Sequence, residues 1–457
     1  MDKINNKFSF GWVFLSGLIT TGILNLGYFN SDRKDILSIW VGFSFLFISY
    51  FIILYKFNNP SMRWQNNYLA IISRVILLFS VPILSDDFYR FIWDGSQILH
   101  GINPFSYTPK ELMSFKYDWV DTLLFQKMNS PNYFSVYPPI NQVIFMLSAI
   151  PGKGNLLGSV VIMRVFLILF DFGNIYFIRK LLTYFKKDER LVFLYALNPL
   201  VIIEFIGNLH FEVVMIFFTL WSIWLLLNNK WILSSVILGL AVCTKLLPII
   251  FLPLFIRYIG WKKTIYAGII CGFVVLILFL PFIHNLKLLE NLISSIQLYY
   301  GKFEFNGSIY QILKAVGWKF LGYNPIAFTS KILIGLSLIG FLISYLKSKN
   351  ILEGIFWVMF TYCIFGAIVH PWYILILVAL TPFVKWRFAL IWSVLICLSY
   401  YTYRVEPYDE SLWLVLVEYI ILGLFMIWEI FYSRDTTDFK DYTDSMQSFK
   451  GDVIKKD

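Results

Sequence analysis

Two adjacent carboxylates, Asp86 and Asp87, stand where the mostly apolar run Tyr68–Leu84 ends. They open the stretch SDDFYRFIWDGSQILHGINPFSYTP, Ser85–Pro109, in which Arg90, Asp94 and His100 are interleaved with Phe88, Tyr89, Phe91 and Trp93. An acid pair at the mouth of an apolar run is costly near a membrane and is there for function more often than for structure. Neighbouring helical residues do not share a face, so the two acids are expected to do different jobs. One can accept a proton from a hydroxyl nucleophile, and a partly dry site raises its pKa toward that task. The other can bind substrate or brace Arg90, and a metal is a further use of the pair. The plainer alternative is a solvated loop in which Ser85 or Asp86 caps a helix.

Other chemistry-bearing residues are scattered along the chain. Lys245 lies in GLAVCTKLLPIIFLP, with apolar neighbours and prolines after it. It either snorkels to an interface or binds an anion, for which a lipid phosphate is the natural candidate at that depth. EFIGNLHFE brings Glu204, Asn208, His210 and Glu212 into one short segment. His210 and Glu212 lack a zinc spacing, so binding of substrate hydroxyls is the better use. HPWY places His370 before a helix that Pro371 would start, with Trp372 and Tyr373 as interfacial anchors or as a platform for a sugar face. Arg164 and Asp171 are expected to form structural ion pairs, with each other or with neighbouring helices, and Arg74 is similar.

The elements that must position these groups are membrane helices. Of 457 residues 58% are hydrophobic and only 14% charged, and apolar runs of about twenty residues recur. These runs are too long for barrel strands. The expected fold is all-α, a polytopic transmembrane helical bundle of about 11–14 spans. Candidate spans are 10–30, 36–57, 67–84, 156–180, 191–207, 208–228, 231–257, 264–284, 328–347, 351–369, 371–384, 387–401 and 411–432. One transmembrane domain covers 1–432, with an outer acidic loop at about 85–137, and 433–457 is a polar cytoplasmic tail. The net charge of +10 would suggest nucleic acid in a soluble protein; here it fits cytoplasmic loops and anionic headgroups, so no nucleic-acid partner is expected. The four cysteines lie inside apolar runs without metal or disulfide spacing. No cleavable signal is evident at the first apolar segment.

Basic residues orient the spans. Lys3 and Lys7 put the N-terminus in the cytoplasm, and the third span then delivers Asp86 and Asp87 to the outer face. Tyr137–Gly152 is short and proline-led and is expected to be re-entrant or interfacial. Segment 231–257 is too long for one simple span; a break at Lys245 would return Arg257, Lys262 and Lys263 to the inside. On this topology the acid loop, Gly207–Glu212, Lys245, Lys302–Gly307 and His370–Tyr373 all converge on the outer face, and both termini are cytoplasmic.

There is no nucleotide-cradling GxxxxGK[ST] loop, no nucleophile elbow and no clean internal repeat. Together SDDFYRFIWDGSQILHGINPFSYTP, YPPI at Tyr137–Ile140, GNLHFE, TKLLPIIFLP and HPWY resemble the GT-C superfamily of polytopic glycosyltransferases. The resemblance is to bacterial polyprenyl-phosphate-mannose-dependent mannosyltransferases. It implies transfer of a sugar, mannose first, from a polyprenyl-phosphate donor to a hydroxyl of a lipid-linked or envelope glycan acceptor at the outer face of the cell membrane. It also implies that an Asp of the first large outer loop, here Asp86 or Asp87, acts as base or binds metal. It assigns no certain cofactor, and a divalent metal is left open. Arg90, Asp94, Asn208, His210, Glu212, Lys245, His370, Trp372 and Tyr373 are the expected substrate-binding residues. Where that branch often has a GHND-like string, this chain reads GNLHFE. The competing classes are a lipid-linked oligosaccharide flippase or other transporter, and a non-catalytic envelope-assembly protein. A flippase needs access from both leaflets, whereas these polar groups gather at one.

Overall fold

The computed structural model describes residues 9–29 and 32–432. Lys3, Lys7 and the tail 433–457 lie outside the described residues. The described chain is helical apart from its loops, and among the described residues the only strand-like pairing is an isolated bridge between Phe305 and Ile368. Among the described residues six helices are long and apolar enough to cross a membrane: Phe10–Phe29, Ile36–Lys56, Leu156–Tyr184, Leu247–Phe279, Ile326–Lys347 and Leu412–Phe431. A bent pair, Glu189–Ala196 and Pro199–Gly207, adds a seventh if its 55° break lies within one span. This agrees with an all-α polytopic bundle.

The number of continuous spans is lower than the 11–14 expected, because several apolar stretches are broken or short. The run 67–84 is helical only to Val75. Beyond it, the backbone is held by the buried guanidinium of Arg164, which donates to the carbonyls of Leu78 (2.9 Å), Ile206 (2.7 Å) and Gly207 (3.1 Å). Irregular backbone is tolerated at membrane depth only where the protein itself satisfies it, which is what Arg164 does. Arg164 therefore does not pair with Asp171; Asp171 pairs with Arg74 of the neighbouring helix and accepts from the Tyr195 hydroxyl. In the bent pair, Pro199 starts a new turn and Asn198 caps it, accepting from the amides of Leu200 (3.0 Å) and Val201 (3.2 Å).

Segment 231–257 breaks where expected. The helix Trp231–Val242 ends just before Lys245, and a 3-10 stretch, Leu247–Phe255, carries Pro248 and Pro253 before the helix Ile256–Phe279. The stretch after Tyr137 forms a helix Pro139–Ser148 of 10 residues. At 1.5 Å per residue that is about 15 Å, half the hydrocarbon thickness, so it cannot cross alone.

The outer members of the bundle leave apolar side chains exposed, among them Ile269, Phe273, Leu338, Leu342, Ile420 and Leu424, as a lipid-facing surface requires. Helix Glu212–Leu227 is instead buried along nearly its whole length. It forms the wall against which the polar groups are set.

Candidate active site

The helix Asp87–Leu99 carries the acid doublet at its N-terminus, where the helix dipole favours negative charge. Asp86 occupies the cap position, yet its side chain makes no capping bond; the Asp87 amide donates to Ser85 Oγ instead (3.3 Å). The Asp86 carboxylate is engaged elsewhere, in an ion pair with Arg33 at 2.6 Å. Arg33 also donates to the Tyr408 hydroxyl (2.6 Å) and lies over the rings of Tyr403 and Tyr408. Burial holds the Asp86 carboxyl above its ordinary range; Arg33 offsets part of this and the Asp87 charge adds to it. Asp87 accepts from the Asn129 amide at 2.7 Å, and among the described residues it has no ion pair.

One turn further on, Arg90 donates to Asp94 at 2.7 Å and to the carbonyls of Ser130 and Tyr133, both at 2.9 Å. Asp94 in turn accepts from Ser135 and Gln142. Both residues are buried. Their polar contacts lace the acid helix to segment 130–142, and it is Asp94, not Asp86 or Asp87, that braces Arg90.

The short helix Pro139–Ser148 bridges the acid helix to Lys245. On one side Phe145 stacks on Phe91 at 4.5 Å, and both rings meet Phe211 edge-on at 5.0 and 5.3 Å. Gly95 allows this contact: a Cβ there would lie 2.1 Å from the Phe145 carbonyl oxygen. On the other side the Ile140 amide donates to the Cys243 carbonyl (3.0 Å), and the Asn141 side chain to the Thr244 carbonyl (2.8 Å). The bridge thus grips the turn from which Lys245 projects. Lys245 pairs with Glu212 and lies 4.2 Å above the Tyr373 ring. These groups line a small, open-mouthed pocket with Met215, Leu247, Met359 and Tyr362.

Glu204 organises the remaining groups. Its carboxylate accepts from Asn208 (3.0 Å) and the Tyr400 hydroxyl, and pairs with His210 Nδ1 at 2.9 Å. Asn208 also accepts from the Leu84 amide at 3.1 Å, which ties this segment to the approach of the acid doublet. Burial opposes charge on His210, but the hydrogen bond and charge of Glu204, with the charges of Glu212 and Asp87, outweigh it and raise the imidazole above its ordinary value. His210 stacks on Trp372 at 3.6 Å, and Trp372 on His370 at 4.3 Å. Burial and the charges of His210 and Lys245 push His370 down to about 3. Phe305 packs on His370 at 4.5 Å and on Tyr403 at 5.8 Å, which closes a circuit back to Arg33.

The segments expected to converge therefore do meet: acid loop, 207–212, Lys245, 305–307 and 370–373 touch through these contacts. The side chain of Lys302 lies outside the described residues. Arg33, Asn129, Phe305, Tyr400 and Tyr403 were missed by sequence reasoning. A cation in the link between the first two spans was the one available signal. Among the described residues no three His, Cys, Asp or Glu side chains gather as ligands, and Asp86 is engaged by a guanidinium.

Residues 8–260 match the family described as alpha-(1->6)-mannopyranosyltransferase, N-terminal domain. The chain belongs to that family. It is a glycosyltransferase of the GT-C type, its activity is mannosyl transfer, and it is a multi-pass membrane protein. The match takes in the acid doublet, the bridging helix, Asn208, His210, Glu212 and Lys245 of the mannosyltransferase, and stops before His370, Trp372 and Tyr373. No curated protein matches the chain.

Proposed function

We propose that this mannosyltransferase moves mannose from a polyprenyl-phosphate donor to a hydroxyl of a lipid-linked or envelope glycan, with inversion, on the extracytoplasmic face of the membrane. An α(1→6) linkage is the product the family's description suggests. The transmembrane domain, 1–432, carries the whole reaction, and both termini are cytoplasmic.

Asp87 is the base. It is held by a neutral amide and lacks the cation that neutralises Asp86, so its carboxylate is the one available to take the acceptor proton. Lys245 receives the donor phosphate. A phosphate is already a competent leaving group, so a cation placed where its charge develops contributes more than a general acid. The acceptor oxygen, as Asp87 takes its proton, bonds to the anomeric carbon from one side while the bond from that carbon to the phosphate oxygen breaks on the other and polyprenyl phosphate leaves, which inverts the anomeric centre. His370, Trp372 and Tyr373 form an aromatic face for the sugar, and His210, presented by Glu204, contacts its hydroxyls. Arg90, Asp94 and Asn208 hold the shape of the site through their internal bonds. Helices that keep two amphipathic substrates at one interface lower the entropic cost of their meeting.

The observation that supports this reading most is the bridging helix, which binds the acid helix through Phe145 and the Lys245 turn through Ile140 and Asn141. The test is purified protein with labelled polyprenyl-phosphate mannose and a membrane-lipid extract. Labelled glycolipid should form without any ion gradient. Movement of the label across a vesicle wall with no covalent product would replace the transferase reading with a transporter.

A further inference from the structure

We propose that Glu212 is a displaceable counter-ion: in the resting enzyme it occupies Lys245, and the donor phosphate must take its place. The inference rests on Lys245 as the phosphate-binding cation. Among the described residues Glu212 and Lys245 are the only charged groups in a pocket otherwise walled by Met215, Leu247, Met359, Tyr362 and Tyr373. An ammonium in such surroundings is costly without an anion beside it, and Glu212 supplies that anion from the first turn of its helix. The Lys245 side chain is 34% exposed while that of Glu212 is 7% exposed. The cation is therefore the partner that an incoming ligand can reach, and the carboxylate lies behind it.

A phosphate arriving at Lys245 meets the Glu212 charge at close range, and like charges side by side are strongly unfavourable. Exchange resolves the conflict if the displaced carboxylate turns toward His210, two residues away in the chain. Glu204 holds the imidazole Nδ1 of His210 at 2.9 Å, and among the described residues its buried Nε2 has no hydrogen-bond partner. Glu212 thus makes the site weak for phosphate in both directions. It moderates donor binding, and it helps expel the polyprenyl phosphate left after transfer.

The experiment measures inhibition by sugar-free polyprenyl phosphate and by inorganic phosphate, together with donor KM and kcat, in the full-length protein. Glu212→Gln should bind polyprenyl phosphate on the order of tenfold more tightly, with lower donor KM and lower kcat as product release slows. In a Lys245→Met background the same substitution should change phosphate affinity little, because its effect runs through the ammonium. Tightening of both ligands indicates a bare anion site, and tightening of polyprenyl phosphate alone shows that the prenyl chain is needed; either supports the exchange. Unchanged or weaker binding of both by Glu212→Gln overturns it. Should that variant fail to fold, Glu212→Asp, which shortens the same arm, should give a smaller shift of the same sign. Lys245→Met with an unaltered donor KM would sink the phosphate role itself, whereas a raised KM beside an inert Glu212→Gln sinks only the exchange.

Discussion

At the scale of single residues, two neighbouring aspartates have been given different work by their partners. Asp86 is tied to Arg33 and Asp87 to Asn129. Asp87→Asn keeps the size and the amide contact and removes the proton acceptor. Turnover should fall about 10²–10⁴-fold, with membrane insertion and thermal unfolding unchanged. Near-normal turnover would remove Asp87 as base. Asp86 has a signature in stability. Its native pKa is raised above the unfolded value by burial, so at a pH between the two values the native state is more protonated than the unfolded chain. That contribution is fully present below the ordinary Asp value of about 3.9 and is lost as pH rises through the raised native value. Thermal unfolding in detergent should show this decline, and Asp86→Asn should flatten it. An identical pH profile in the variant would show that Asp86 is not its source.

At the scale of elements, the site depends on a ten-residue helix that is too short to span. Its grip on the acid helix requires Gly95, because any side chain there meets the Phe145 backbone, which cannot move aside as a flexible side chain would. Gly95→Ala should therefore destabilise the protein by about 1–3 kcal/mol, as overpacking does, and lower turnover as the two helices part. An unshifted melting temperature with full activity would show that the close approach is dispensable. The loop beyond the acid helix is built as firmly. Gly101 turns the chain at φ +72, Asn103 donates to the Phe282 carbonyl (2.6 Å), and a capping box of Thr108 and Glu111 starts the next short helix. The acid loop is thus a folded layer bound to the bundle.

At the scale of the molecule, the proposed orientation makes the acid layer extracytoplasmic and the turn after Arg257 cytoplasmic. The four native cysteines are buried, so new ones can be read against a quiet background. Lys110 and Lys262 are both exposed. In intact cells an impermeant thiol reagent should label Lys110→Cys and spare Lys262→Cys until the membrane is opened. The reverse pattern would place the chemistry in the cytoplasm and end the polyprenyl-phosphate reading of the outer leaflet.

The chain's apolar runs alone determined its class, because roughly twenty consecutive apolar residues have few stable settings other than a membrane helix. The acid doublet, the break at Lys245 and the short element after Tyr137 were legible for a related reason: charge and proline inside apolar sequence are local signals. Partnership was not legible. Arg33 meets Tyr408 across 375 positions of chain, and Tyr400 meets Glu204 across 196. Nothing local to either partner announces the other. The runs 67–84, 371–384 and 387–401 read as ordinary spans, and only the tertiary structure showed them leaving the regular α-helix. Hydrophobicity reports that a segment is buried, while its backbone shape depends on which neighbour, such as Arg164, is there to satisfy its carbonyls. Which aspartate faces a cation, and that Lys245 already holds a carboxylate, were decided by packing alone.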